Sequence, residues 1–287
     1  MKNTDSYISN HQFDIIGITD DEFNLIRELI YSQSGIVLSD KKKSLVAGRL
    51  QKVLKQYQFY NFNDYYNELI KDKSGALLTE LIDKISTNHT FFGRENDHFE
   101  YFKDIILPEL SKIKIKSNNL DLRVWSAGCS TGEEAYTLAF IIREFFKNNY
   151  NKWEAEVLAT DISSTVLSKA MQGIYDGSKF RGFNSEWKLR YFKKIDDNKW
   201  EVIPEIKSEI VFRRFNLLTP KFSFKTQMDV IFCRNVMIYF DKQTRAAVIQ
   251  NLYDTLTDGG YLFIGHSEAI DRTQTKFQYI SPSIYKK

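Results

Sequence analysis

The sequence predicts an α/β fold preceded by an all-α N-terminal domain, and three observations lead to it. From residue 120 onward apolar strand-like runs alternate with helical patterns, which implies a mostly parallel, Rossmann-like sheet covered on both faces. From 19 to 85 the apolar residues recur at helical spacing and no β-alternation intervenes, the pattern of a small bundle. Within the second part, Val124-Trp125-Ser126-Ala127 runs into the turn Gly128-Cys129-Ser130-Thr131-Gly132 and straight on into a helix. Such a strand, loop and helix can hold a nucleotide-like ligand above the end of the strand.

In chain order, Thr19-Asp20-Asp21-Glu22 has capping-box spacing and opens a helix through Phe23, Ile26, Leu29 and Ile30 that stops at Gly35. A second helix follows Ser39, with Leu45, Val46, Leu50, Val53 and Leu54 on its apolar side. Asn61 to Asp64 starts a third, 65–70, which Ser74-Gly75 separates from a fourth, 76–85. The second helix also carries Lys41, Lys42, Lys43, Arg49, Lys52 and Lys55. At about 100° per residue, Lys41, Lys52 and Lys55 fall within roughly 60° of one another. They form either a solvated face or an anion-docking stripe, with Arg49 at the edge of the apolar side.

Predicted strands follow at 122–126, 157–160, 229–233 and 261–264, and predicted helices at 133–146, 165–171 and 242–256. Ser130 and Glu133 have capping-box spacing at the start of the first of these helices. Residues 200–203 and 210–215 read as a hairpin around Asp196-Asp197-Asn198, a small β-subdomain inserted at about 188–216. The tail, 277–280 and 283–285 around Pro282, reads as an antiparallel edge. The expected domains are therefore a helical 17–86, a connecting segment 87–119 and a sheet domain 120–287.

Hydrophobic content of 43% and charged content of 27% are those of an ordinary globular protein, and a net charge of +3 is too small to argue for nucleic acid. The two cysteines, Cys129 and Cys233, cannot make a metal cluster; each ends an apolar run, so buried reduced thiols are expected. Residues 1–10 are polar and show no signal peptide, and no apolar run reaches the length of a membrane span. A cytoplasmic location is expected.

In an open α/β sheet the ligand lies over the carboxyl ends of the strands. Asp161 ends the second strand, where it can accept hydrogen bonds from ribose hydroxyls or cap the helix that follows. Asn235 and Tyr239 follow a later strand and point toward the same crevice. Arg94, in the segment Ser86 to Glu95, can bind a carboxylate in bidentate fashion, while Thr87, Asn88 and Thr90 fit a capping cluster equally well. Glu133 and Glu134 suit a helix N-terminus but repel an anion, and no Gly-Lys-Ser/Thr ending supports a phosphate loop. Three further readings compete for the turn. It can be a plain structural turn; it fits the G-x-S-x-G nucleophile elbow, with Ser130, Asp161 and His266 in triad order; or it can hold an adenosyl ligand. No HGGG-type segment precedes Ser130, and none of Pro108, Pro204, Pro220 or Pro282 lies in the Asn/Asp-Pro-Pro-Tyr motif of base methylation. His89 and His98 read as surface or packing residues.

Five motifs stand in one order: Thr87-Asn88-x-Thr90-x-Phe92-x-Arg94, Gly128 to Glu134, Ala159-Thr160-Asp161-Ile162, Phe232 to Phe240, and Gly265-His266-Ser267-Glu268. Together they resemble the CheR-type chemotaxis receptor methyltransferases, over nearly the whole chain from Thr19. The resemblance implies a class I methyltransferase domain that transfers methyl groups from S-adenosyl-L-methionine to glutamate side chains of chemoreceptors. S-adenosyl-L-homocysteine is then the other product, and no metal is required. It implies that Arg94 holds the methionine carboxylate, Glu133 the methionine amine and Asp161 the ribose. Asn216 and Leu217 meet the adenine, Asn235 lines the methionine end, Asn88 and Thr90 also touch the cofactor, and Gly128 shapes the loop. Tyr239 and Arg94 stand nearest the reaction, and Arg49 and Lys52 occupy the stretch that docks the receptor. Position 93 is Gly where the family commonly has an aromatic. The loop 193–199 has no glycine, which argues against a grip on a receptor's C-terminal peptide.

Overall fold

A computed structural model of the chain describes residues 15–287; the polar residues 1–10 read above lie outside the described residues. The described residues cluster into two compact units. One comprises Leu38–Ile85 with the residues up to Leu29, and the other comprises Ile30–Val37 with Ser86–Lys287.

In the first unit, Thr19 and Glu22 cap helix α1 (Asp20–Ser34) reciprocally: the Thr19 amide donates to Glu22 Oε2 at 2.8 Å and the Glu22 amide to Thr19 Oγ1 at 3.2 Å. Gly35 ends α1 with φ +70°, a left-handed turn that glycine adopts without a Cβ clash. Helices α2 (Lys43–Gln56), α3 (Phe62–Lys71) and α4 (Ala76–Ile85) follow, and Val46, Leu50, Val53 and Leu54 of α2 are fully buried. Asn61 caps α3 by accepting from the Asp64 amide at 2.7 Å.

The second unit opens with helices α5 (Asn96–Tyr101) and α6 (Leu107–Lys116), joined by a wide π turn at Phe102–Ile106. The connecting segment is thus itself packed structure. Phe92, Phe99, Phe102, Ile106 and Leu110 belong to the apolar core on one face of the sheet.

The chain continues β1 (Val124–Ala127), α7 (Glu133–Phe146), β2 (Val157–Asp161), α8 (Ser164–Gln172), β3 (Ile174–Asp176), α9 (Ser185–Tyr191), β4 (Phe192–Lys194), β5 (Lys199–Val202), α10 (Pro204–Lys207) and β6 (Ile210–Arg214). It closes with β7 (Met228–Cys233), α11 (Lys242–Thr255), β8 (Leu256–Ile264), β9 (Gln278–Ser281) and β10 (Ile284–Lys286). The large sheet has the order β6-β2-β1-β7-β8-β10-β9, parallel up to β8 and antiparallel at the β10-β9 edge. Successive side chains of a strand face opposite ways. Val230, Phe232 and Phe263 accordingly lie in one core, beneath α5 to α7, and Ile231, Cys233 and Leu262 in the other, with Val248 and Leu252 of α11.

The inserted subdomain differs from its expected form. Its three strands have the order β3-β5-β4, and the hairpin around Asp196 pairs β5 with β4. The run at 210–214 instead lies parallel to β2, with Ile210 opposite Val157. Pro204 opens α10, a short turn that separates β5 from β6 and redirects the chain to the large sheet.

Candidate cofactor site at the sheet edge

Strands β1, β2 and β7 run parallel, so the turns leaving them share the carboxyl edge. Gly128 turns there with φ +87°, and both its amide and that of Cys129 donate to the Thr160 carbonyl, at 2.8 and 2.9 Å. A Cβ on Gly128 would stand 2.4 Å from Val236 Cγ2, so the loop after β7 requires glycine at this point.

Ser130 is not the partner of Glu133 in a capping box. The helix takes Gly132, with φ +94°, as its N-cap without a side-chain bond, while Ser130 Oγ donates to the Asn88 carbonyl at 3.1 Å. Nor is there a Ser-His-Asp relay. Asp161 Oδ2 accepts the Ser130 amide at 2.9 Å, and His266 Nε2 meets Asp97 Oδ2 at 3.0 Å rather than Asp161 or the Ser130 hydroxyl. The elbow reading therefore fails on geometry.

Asp161 also accepts the Ser163 amide on Oδ1 at 2.9 Å, but the cap of α8 is Ser163, which accepts from the Val166 amide. Thr87, Asn88 and Thr90 do not cap α5, whose N-cap is Glu95 with φ +53°. Thr90 gives its carbonyl to Lys179 Nζ at 2.6 Å, and Lys179 Nζ also lies 2.8 Å from Glu133 Oε1. Glu133 is fully buried and takes the Thr131 hydroxyl at 2.6 Å on its other oxygen. Arg94 is half-buried and donates to the His89 carbonyl at 2.9 Å. Asn216 donates to the Gln33 carbonyl at 2.8 Å, and Leu217 beside it is buried. Tyr239 is half-buried, and its carbonyl accepts the Val37 amide at 2.9 Å.

A buried ionic network that the sequence reading did not anticipate underlies this edge. Arg234, the residue before Asn235, reaches Glu95 Oε2 through Nη2 at 2.9 Å, Glu134 Oε2 through Nη1 at 3.1 Å and the Arg94 carbonyl through Nη2 at 2.5 Å. Burial pushes the Glu134 carboxyl up, against the opposing pull of Arg234. Asn235 has φ +58°; its amide donates to Glu268 Oε2 at 2.9 Å and its Nδ2 to Glu95 Oε1 at 3.1 Å. Glu268 further accepts the Gly265 amide at 2.6 Å and the Ile238 amide at 3.1 Å, which folds the loop after β7 around one carboxylate. Glu268 lies in a motif noted above, but nothing local marks it as the anchor of a loop 33 residues away.

Glu95, His98 and His266 bring one ligand atom each within 4.8 Å of one another. Arg234 already neutralises Glu95 there, and its positive charge opposes a cation. His98 is a packing residue, as expected: its ring lies 5.5 Å from Phe263 and 4.6 Å from His266. Burial first, and Arg234 second, push its pKa down to about 4. Both cysteines are buried, as expected, and burial pushes their thiols up.

Asn88, Thr90, Arg94, Gly128, Glu133, Asp161, Asn216, Leu217, Asn235 and Tyr239 all belong to the second unit, while Arg49 and Lys52 belong to α2 of the first. Arg49 donates to the Ile85 carbonyl at 2.5 Å, so it is pinned as its place beside the apolar side suggested, and Lys52 is exposed.

Residues 88–286 match the CheR methyltransferase SAM-binding domain and residues 21–86 the CheR methyltransferase all-alpha domain. A chemotaxis protein methyltransferase of Borreliella burgdorferi is 43% identical, over 95% of this chain and 96% of that protein. Chemotaxis protein methyltransferase 1 of Pseudomonas aeruginosa is 36% identical over 92% and 96%, and the chemotaxis protein methyltransferase of Escherichia coli 32% identical over 94% and 92%.

Proposed function

The chain belongs to the CheR methyltransferase family, a family of S-adenosylmethionine-dependent enzymes, and from that premise we propose that it esterifies glutamate side chains of chemoreceptors. The observation that carries this reading is the gathering of the family's motif residues at one sheet edge, on turns with positive φ at Gly128, Ser130 and Asn235 that bonds to Asp161 and Glu95 tie together.

The residues fit the cofactor. Asp161 is held by two backbone amides at the end of β2, and a carboxylate there would accept the two ribose hydroxyls. Arg94 would hold the methionine carboxylate with its planar fork. Glu133 would take the methionine amine, and Asn88, Thr90 and Asn235 would line the same end. Asn216 and Leu217 would meet the adenine, one with a polar edge and one with an apolar face. When bound, S-adenosyl-L-methionine supplies a methyl group already activated on a sulfonium.

What the chain contributes is position. A glutamate carboxylate, with an ordinary pKa of about 4.3, is ionised near neutral pH and needs no general base. Holding it in line with the methyl can supply roughly 7–11 kcal/mol of the barrier. Tyr239 is the side chain we place nearest the reacting oxygen. We propose no metal, since neither the nucleophile nor the leaving group requires one. We assign residues 17–86 to substrate docking, 87–119 to cofactor contact and 120–287 to the methyltransferase domain. Arg49 and Lys52 of α2 dock the acidic receptor helices, and the site of action is the cytoplasm. Among the described residues no helix is long and apolar enough to cross a membrane. The β4-β5 turn holds no glycine, and we do not assign a receptor C-terminal peptide to it.

The test incubates the protein with methyl-labelled S-adenosylmethionine and receptor-containing membranes from the same cell. Label on a membrane protein that mild alkali releases as methanol is the expected result. Alkali-stable label, or none despite cofactor binding, overturns the ester assignment. In the same assay Tyr239→Phe should lose turnover, and full turnover would remove the hydroxyl from the reaction.

A further inference from the structure

We propose that Glu95 is a positioning residue for the cofactor edge, acting through Asn235, with Arg234 as its counter-ion, and without itself touching ligand or receptor; the inference rests on the reading above. Its carboxylate is the junction of two segments. Oε1 accepts Asn235 Nδ2 at 3.1 Å, and Oε2 accepts Arg234 Nε at 3.2 Å and Nη2 at 2.9 Å. The same guanidinium donates to the Arg94 carbonyl, so one carboxylate ties the segment that presents Arg94 to the loop that presents Asn235.

Both ends of this clamp hold an unusual backbone. Glu95 and Asn235 have φ of +53° and +58°, in the left-handed region that L-residues enter at a cost. Asn tolerates that region, but Glu has no preference for it. Such conformations persist where the surroundings over-determine them, and they cluster at functional sites. Here the surroundings are the clamp itself. The Glu95 and Arg234 side chains are 14% and 3% exposed, so removing Glu95 leaves the buried Arg234 charge with Glu134 as its carboxylate partner. Burial pushes the Glu95 carboxyl up, but the Arg234 charge and the hydrogen bonds from Asn235 and Arg234 outweigh it and keep it ionised.

The test is a double-mutant cycle read by calorimetric binding of S-adenosylhomocysteine to wild type, Glu95→Gln, Asn235→Ala and the double variant. If Glu95 acts through Asn235, Glu95→Gln weakens binding about tenfold in the wild type and less than about threefold beside Asn235→Ala. The same factor in both backgrounds overturns the inference while leaving the functional reading intact. A wild type that binds no ligand overturns the reading and the inference with it. A charge-swapped pair covers failure of the single variant to fold. Asn235→Asp alone sets two carboxylates together and should weaken binding, and adding Glu95→Gln should restore it by reversing the donor. No recovery overturns the proposal.

Discussion

The ammonium of Lys179 sits between Glu133 Oε1 and the Thr90 carbonyl, at 2.8 and 2.6 Å, and both residues are assigned to the cofactor. A ligand amine directed at Glu133 therefore competes with Lys179 for one oxygen. Lys179 is 32% exposed on a flexible stem and can withdraw to water, whereas Glu133 is fully buried and cannot. Lys179→Met removes the competitor but leaves a buried carboxylate with the Thr131 hydroxyl alone. The expected outcome is paired: several-fold tighter S-adenosylmethionine binding by calorimetry, and a lower melting temperature without ligand, from the loss of about 1–3 kcal/mol. Unchanged or weaker binding would mean that Glu133 does not meet the amine. Neither member of this pair was visible as a pair in the sequence. Lys179 and Thr90 stand 89 residues apart, and only the fold brings them together.

Among the elements, those with an explicit start and stop were the legible ones. Thr19 and Glu22 satisfy each other's amides at the head of α1, and Glu22 Oε1 also accepts the Asn63 amide at 3.0 Å. Thr19→Ala should cost about 1 kcal/mol in urea unfolding, in the range for losing an N-cap side chain. A change within experimental error would show that water replaces the cap at no cost. The same logic explains the good agreement of α3, α4 and the β9-β10 edge with their expected positions. It also explains the two errors. Residues 210–214 are apolar, but a local pattern does not say whether a strand pairs with its neighbour or crosses to another sheet, and here it pairs in parallel with β2. Ser130 and Glu133 had capping spacing, but Gly132 with φ +94° starts the helix after Ser130 has turned toward Asn88. Of the site, the residues at strand ends could be read from the alternation, because parallel strands must place them on one edge. Glu95, Arg234 and Glu268 could not be read, because their roles lie in pairings such as Glu95 with Arg234, 139 residues apart.

At the scale of the whole molecule, we assign two kinds of recognition to two compact units. The sheet unit holds the residues assigned to the cofactor; the helical unit presents Lys52 and Lys55 on α2 and Lys41 in the turn before it, all exposed. Arg49 stands beside them, fixed by its bond to the carbonyl of Ile85 at the end of α4. Exposed cations contribute little fixed binding energy in water, but they raise the rate and affinity with which an acidic surface is met. Their reach is set by screening, with a Debye length of about 8 Å near physiological salt. If α2 meets the acidic receptor helices, Lys52→Glu should raise KM for receptor several-fold and leave S-adenosylmethionine affinity unchanged. Salt from 0.05 to 0.3 M should raise the wild-type KM for receptor and narrow the gap between wild type and variant, because the repulsion introduced is itself screened. Methylation kinetics on receptor membranes at several salt concentrations, with cofactor binding measured in parallel, give both quantities. A receptor KM insensitive to both the charge reversal and the salt would remove docking from α2. A shift in cofactor affinity alone would show that Lys52 acts on the sheet unit rather than on the receptor.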